Sequence, residues 1–467
     1  MIRQGTSGVR RLGCRGLAVI SLAALAACGA GTDYKAPRFP FAGGWASGKT
    51  GAPVLLSNTE WWQGFSDKTL NALVARALTD NLTIAAASER VLAARAAYRT
   101  VPGSASVSSS ASISGEGSFG NDPIGVGDGS IGLNWILDPW GGRKANLRSA
   151  AARVEQAEAE RDAAQLLVLS NLASTYAELR YNQRLLAIRR DEMASRRATL
   201  EQTEQLQAED AATRIDLTRA KARVAEIESQ VPSILAAIEG KKNQIAVLAG
   251  SAPGALDIPL DRAGQPGPRF APETGIPSDL LRNRPDIRIA ERSYYAAIAD
   301  TDAARAAQYP SLSLSGTISV NALQGGVSAT SYAFGPSIVL PAFPGKAAKA
   351  GVELEAAQAR AALAVWEQTV MAAIVEVEEA LLDYRAISQS MTSAERSLNL
   401  YREARELTRE VFRSGDATLT DLINADTDVS RAENALADTQ LRKALAYIAL
   451  NIRLGSGHAV GKADSDS

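Results

Sequence analysis

Apolar and polar positions along the chain follow two different periods, and the switches between them mark out its elements. An Ala-rich segment at about 67–100 carries helical spacing and stops at Pro102. Ser104-Ala105-Ser106-Val107-Ser108 then alternates small polar with apolar residues, a Gly- and Asp-rich loop follows at 115–129, and Ile131 to Leu137 returns. Alternation at period two sends successive side chains to opposite faces of a strand, so this region predicts a hairpin. A helix opening at Pro285 ends near Tyr309-Pro310, after which Ser311 to Val320 alternates for ten residues. Beyond a Gly-containing loop, Tyr332, Phe334, Ile338 and Leu340 place apolar groups on one face of a fourth strand.

Each hairpin is followed by a helical run free of Pro, from Lys144 to about Gln207 and from Lys346 to about Arg413. At 1.5 Å per residue each predicts a rod of about 100 Å. Its apolar stripe is narrow and flanked by Ala and charged residues, as in a coiled-coil seam. A shorter helix follows each rod, at about 215–249 and 420–454.

The same plan is written twice. Leu169, Leu172, Tyr176 and Leu179 recur as Ile374, Val377, Leu381 and Tyr384, with identical spacing at an offset of about 205 residues. Asp210 to Leu217 aligns with Gly415 to Leu422, and the Gly250-Ser251 and Gly455-Ser456 pairs fall in register. Such self-similarity sets the fold before any single element does. It predicts a first repeat at 61–255 with its hairpin at about 104–137, a Pro- and Gly-rich linker at 256–276, a second repeat at 277–456 with its hairpin at about 311–340, and a polar tail at 457–467.

Ten alternating residues suit a transmembrane β-strand with one face in lipid and the other in a wet lumen. A half-buried strand of a soluble sandwich has the same pattern. Four strands cannot close a barrel alone, so the membrane reading requires oligomerisation.

The N-terminus carries Arg3, Arg10, Arg11 and Arg15, then the apolar run Leu17 to Leu25. This is a signal-peptide layout, too short to span a bilayer. It ends Leu25-Ala26-Ala27-Cys28-Gly29, which resembles a bacterial lipobox: residues 1–27 would be removed, Cys28 acylated, and 28–60 would form an extended lipid-anchored segment. Ordinary secretory cleavage is the alternative. Acylation is favoured because Cys14 leaves with the signal and Cys28 would otherwise be an unpaired thiol in an oxidising compartment.

Composition narrows the chemistry. Lys and Arg number 50 against 51 Asp and Glu, so no global basic surface attracts nucleic acid. One His and two Cys are too few for a zinc or copper cage or for a Cys/His nucleophilic pair. No Gly-x-Ser-x-Gly elbow or phosphate-cradling loop is present. His458 sits in a glycine-flanked polar tail and reads as solvated. These features predict neither enzyme nor cofactor nor metal site.

The words Asp33-Tyr34-Lys35-Ala36-Pro37 after Cys28, Trp61-Trp62, Leu280-Leu281-Arg282-Asn283-Arg284-Pro285-Asp286-Ile287, Tyr309-Pro310-Ser311-Leu312 and Gly415 to Ala425 occur in an order that resembles the TolC-type outer-membrane factor superfamily. Within it they resemble the OprM/NodT-like lipoproteins of resistance-nodulation-division efflux systems. The resemblance implies a mainly α fold with a transmembrane β part: a homotrimer whose twelve strands close a barrel in outer-membrane lipid, continued by a 12-helix α-barrel through the periplasm. It further implies a periplasmic adaptor (membrane fusion) protein and an inner-membrane resistance-nodulation-division transporter as partners, with this component a passive exit duct. A type I secretion duct and a structural coiled-coil envelope lipoprotein are the alternatives. Two departures stand out: Asp210 replaces the glycine found at Gly415, and Leu340 to Lys346 is an unusual entry into the second rod.

In a trimer every residue at the helix tips appears three times. Asp416, Asp421, Asp210 and Asp216 are therefore gate candidates as carboxylate rings, with Leu419 as an apolar constriction. Helix capping explains Asp416 and Asp421 as well. Gly415, Ala417 and Ala212 are small enough for a partner helix to approach, and the resemblance implies that the adaptor meets this turn; a purely structural turn is the alternative. Arg284-Pro285-Asp286 reads as a helix start. Trp135, Trp140 and Phe343 suit either an interfacial girdle or packing where the strands meet the helices.

Overall fold

The computed structural model describes residues 37–47, 52, 55–56, 59–116, 124–210, 212–261, 263–270, 272–323, 326, 328–341, 345–414 and 416–459. The expectations for residues 1–27, Cys28, Phe343, Gly415 and the end of the tail lie outside them. In chain order the elements are helices α1 (Lys68–Asp80) and α2 (Leu82–Thr100), strands β1 (Ala105–Glu116) and β2 (Ile124–Leu137), helices α3 (Gly142–Ala208) and α4 (Arg214–Leu248), the single turn α5 (Leu280–Asn283), helix α6 (Pro285–Ala306), strands β3 (Ser311–Leu323) and β4 (Ala329–Val339), and helices α7 (Lys346–Ser414) and α8 (Leu419–Arg453).

Two boundaries differ from expectation. The first helical segment breaks in two at Asn81, whose side chain accepts from Thr83 N at 2.8 Å and Ile84 N at 3.2 Å and so starts a new helix. The second strand begins at Ile124 inside the Gly/Asp-rich stretch, because Gly125, Gly127 and Gly129 are held in ladder register by β1. Glycine weakens a strand but does not forbid it.

The described residues fall into two compact units, whose boundaries beyond residue 39 lie within helices. The first contains residues 37–38, 90–158 and 289–367, and holds one antiparallel sheet in the order β1-β2-β3-β4. Arg148–Asp302 (3.0 Å), Arg153–Asp300 (2.9 Å) and Arg292–Glu155 (2.7 Å) link α3 to α6. Trp140 stacks on Tyr309 with centroids 4.7 Å apart and donates to Pro310 O, so it packs where strand joins helix.

The second unit contains 39–89, 159–288 and 368–459. Its core joins Trp61, Trp62, Phe65, Leu70 and Leu73 to Leu169, Leu172, Tyr176 and Leu179 of α3, with Ile238 and Ile245 of α4 and Tyr447 and Ile448 of α8. Buried polar groups are tied in: Tyr176 donates to Asp67 at 2.6 Å and receives from Arg180 at 2.9 Å. Burial, with the Asp67 carboxylate beside it, raises the Tyr176 phenol well above its ordinary pKa. Arg284 binds both Asp286 oxygens, Glu376 at 2.8 Å and Arg453 O at 2.8 Å, so the Arg-Pro-Asp word is a structural clamp at the start of α6.

The Gly-Ser pairs end their helices in the same way. Gly250 and Gly455 have φ of +74° and +77°, and Ser251 N and Ser456 N reach back to Ala246 O (2.8 Å) and Asn451 O (2.9 Å). Both turns are Schellman motifs that satisfy otherwise orphaned carbonyls.

His458 is corrected by the structure. It is 1% exposed, with Nδ1 3.1 Å from Gly455 O and Nε2 3.8 Å from Asp162, a carboxylate that Arg288 meets at 2.9 Å. The tail does not leave at 457: Gly457, at φ +98°, donates to Leu56 O and folds the chain back against Trp61 and Trp62.

A Cβ on Gly455 would lie 2.2 Å from Asn283 O, whereas one on Gly254, at φ +80°, would meet nothing within 4 Å. Gly254→Ala is therefore expected to cost about 1 kcal/mol for the left-handed backbone alone. Gly455→Ala should cost about 1–3 kcal/mol more from overpacking. Thermal unfolding of the two variants in detergent checks this, and equal losses would contradict it.

Candidate functional site

Two regions concentrate the patterned side chains that the sequence singles out: the faces of the sheet and the helix tips. The register sorts side chains by face. On one face lie Val107 of β1, Ile131, Leu133, Trp135 and Leu137 of β2, Leu312, Leu314, Ile318 and Val320 of β3, and Tyr332, Phe334, Pro336 and Ile338 of β4. Ile131, Trp135, Ile318, Tyr332, Phe334 and Ile338 are all exposed in the protomer. On the other face lie Ser106 to Ser114 at alternate positions, Asp128, Ser130 and Asn134, then Ser313, Ser315, Thr317, Ser319 and Asn321, then Ser331 and Ser337. Ser110 and Ser130 are hydrogen-bonded at 2.9 Å, and Ser319 and Ser331 at 2.8 Å. The strands have 12, 14, 13 and 11 residues, enough to cross a bilayer when tilted. Among the described residues no helix is long and apolar enough to do so.

At the tips, two threonines build matching caps. Thr213 Oγ1 accepts from Asp216 N at 3.2 Å while Asp216 accepts from Thr213 N at 3.1 Å and from its hydroxyl at 2.6 Å. Thr418 and Asp421 repeat this at 3.2, 2.9 and 2.6 Å. Both are capping boxes. The threonine hydroxyl, then its backbone N–H, holds each carboxylate below its ordinary pKa. Asp416 is exposed, accepts from Ser414 Oγ at 3.1 Å and caps no helix through its side chain. Asp210 takes φ +58°, the left-handed conformation for which the second repeat has a glycine in its sequence.

Ala212, Asp216 and Leu419 come together in the lining of one groove of about 630 Å³, with Thr203, Leu206, Arg219, Arg223 and Ile423. Asp210, Asp416, Ala417 and Asp421 do not line it. Sequence reasoning missed Arg196, which is 5% exposed and binds α3 to α8 through Thr427 Oγ1 (2.6 Å) and Ile423 O (3.3 Å). Beside it Ser195 donates to Asp426 at 2.8 Å.

The sequence model of the outer membrane efflux protein family matches residues 73–251 and 276–456. The chain belongs to this family. It is 33% identical over 451 residues to nodulation protein T of Rhizobium leguminosarum bv. viciae, covering 94% of this chain and 93% of that protein. It is 28% identical to outer membrane protein OprJ of Pseudomonas aeruginosa, covering 94% and 95%. The solved structure of the outer-membrane channel OprN superposes with a TM-score of 0.82 at 30% identity, over 92% of this chain and all of that one. The fold is thus the mostly helical, TolC-like one, and the chain is an outer-membrane channel component of an efflux pump. The secretion-duct and structural-lipoprotein alternatives are not favoured.

The capping boxes make a testable distinction between the tip carboxylates. Asp421→Ala should speed hydrogen exchange of the first-turn amides of α8 several-fold, and Asp416→Ala should leave them unchanged. A carboxylate with a depressed folded pKa stabilises fully above its unfolded pKa and loses that contribution as pH falls through the folded value. The wild-type amides should therefore keep constant relative protection from pH 5 to 8 and lose it only under strong acid. Equal effects of the two substitutions would contradict the assignment.

Proposed function

We propose that three copies close their sheets into a 12-stranded barrel, continued by a 12-helix periplasmic barrel, to form a passive exit duct that is no enzyme and holds no cofactor. The sheet carries this reading: one apolar face, one hydroxyl-rich face and an unpaired edge on both β1 and β4. In lipid a sheet cannot keep open edges, and closing into a barrel is what removes them. A second feature supports association between copies. Helix α7 exposes Leu354, Val365, Met371, Val375, Leu382, Leu400, Leu407 and Val411, whereas α3 has Leu167 as its one large exposed apolar residue among those described. A neighbouring copy is the natural cover for that stripe.

In this reading Cys28 is acylated and anchors the chain to the outer membrane. The tip groove and Gly415, Ala417 and Ala212 receive the hairpin of a periplasmic adaptor, which joins the duct to a resistance-nodulation-division transporter. Asp216 and Asp421 serve the gate by fixing the helix starts. Asp416 and Asp210, at the tip turns, and Leu419 restrict the closed end, with the Asp416 ring holding cations there.

Planar-bilayer recording tests the duct directly. The purified protein should form channels, and Asp416→Ala should raise single-channel conductance at low voltage about twofold or more. Channels of unchanged conductance would remove Asp416 from the gate, and failure to form channels would remove the duct.

A further inference from the structure

The 50 Lys and Arg of the chain avoid both hairpins completely: none lies within 104–137 or 311–340. Three carboxylates do, Glu116, Asp122 and Asp128. Asp122 lies outside the described residues, and Glu116 falls by register at the loop end of β1, opposite Ile124. Asp128 sits within the polar face. Its pairing partners are Ser112 on β1 and Asn321 on β3, and the next row on that face is Ser110, Ser130, Ser319 and Ser331, one hydroxyl from each strand. Apart from Glu116, which falls on the same face by register at its loop end, the remaining polar residues of this face are neutral hydroxyls and amides. Among the described residues of this face no cation compensates the Asp128 charge, and the pairing partners are groups that solvate an ion of either sign.

We infer that Asp128 makes the outer-membrane end of the duct charge-selective, so that the exit favours cationic over anionic solutes and is indifferent to neutral polar ones. This rests on the trimeric barrel of the preceding section, in which Asp128 occurs three times at one level of a water-filled lumen. It is separate from the tip carboxylates: it acts where solute leaves the barrel, whatever the state of the periplasmic end. Serine and asparagine supply hydrogen bonds to a passing solute without holding it. The Asp128 ring sets the sign of the field. A unit charge about 7 Å away in water changes the local concentration of a monovalent ion roughly two- to threefold, in opposite senses for cations and anions. The effect is strongest at low salt, where screening is weak: the Debye length is about 30 Å at 0.01 M.

Ser130 lies two residues along the same strand and face, about 7 Å from Asp128, and provides a reporter position. Ser130→Cys is placed in the full-length protein in lipid vesicles at about 10 mM ionic strength. The modification rates of the introduced thiol with a cationic and an anionic methanethiosulfonate reagent are then compared, with the chain retaining Ser130 as background. The cation-to-anion rate ratio is expected to fall about fivefold on adding Asp128→Asn, and to invert with Asp128→Lys. A ratio unchanged by Asp128→Asn, with the introduced thiol reacting readily, overturns the selectivity and leaves the barrel standing. A thiol at this position that reacts with neither reagent shows that this face is not a wet lumen, and overturns the barrel reading and the inference together.

Discussion

An amide or carbonyl left without a partner in hydrocarbon costs several kcal/mol, and the four-stranded sheet leaves one row of such groups along β1 and another along β4. The rest of the molecule is arranged around that deficit. An apolar face more than ten residues long is suited to lipid, and the opposite face of serine, threonine and asparagine is suited to water. Neither face can be used until the edges pair. The exposed stripe of α7 extends the same incompleteness into the helices. In the proposed trimer the chain is one third of a closed object, a reading in keeping with its family of outer membrane efflux proteins.

The helices answer a different constraint, namely where long rods stop. Matching turns at Gly250 and Gly455 and matching capping boxes at Thr213 and Thr418 fix those ends at equivalent places in the two repeats. The departure is at the tips: Asp210 holds a left-handed backbone without the glycine that the second repeat supplies. Arg196, clasped by Thr427 and Ile423, ties α3 to the α8 tip. The carboxylates at Asp216 and Asp421 are occupied in caps, whereas Asp416 accepts only from the Ser414 hydroxyl beside it, which is why the proposed gate assigns its charge to Asp416.

The strands and rods are legible in the sequence because each depends on a period that it displays directly. Hairpin alternation, Pro-free runs and the repeat offset are local facts, and the family follows from their order. What stays hidden depends on partners distant in sequence. His458 looks like tail, and only Asp162 and Trp61, several hundred residues earlier, make its site a core position. Arg196 and Arg197 are neighbours of identical chemistry; one is buried against α8 and the other is exposed beside Glu228. Asn81 breaks a helix that propensity would continue, because its side chain caps the next turn. Asp128 falls in an apparent loop, since glycines at 125, 127 and 129 hide a strand that its neighbours hold in place.

The central claim, that β1 of one copy pairs with β4 of the next, is tested most directly by a disulfide scan across that junction. Cysteines at Ser106, Ser108 or Ser110 are each combined with one at Ser331, Ala333 or Ser337, and the protein is oxidised in outer membranes. A closed trimer predicts that at least one register gives a covalent ladder ending at the trimer under denaturing conditions. Absence of cross-linking in every combination, or a ladder that ends at a dimer or runs past three, would contradict it.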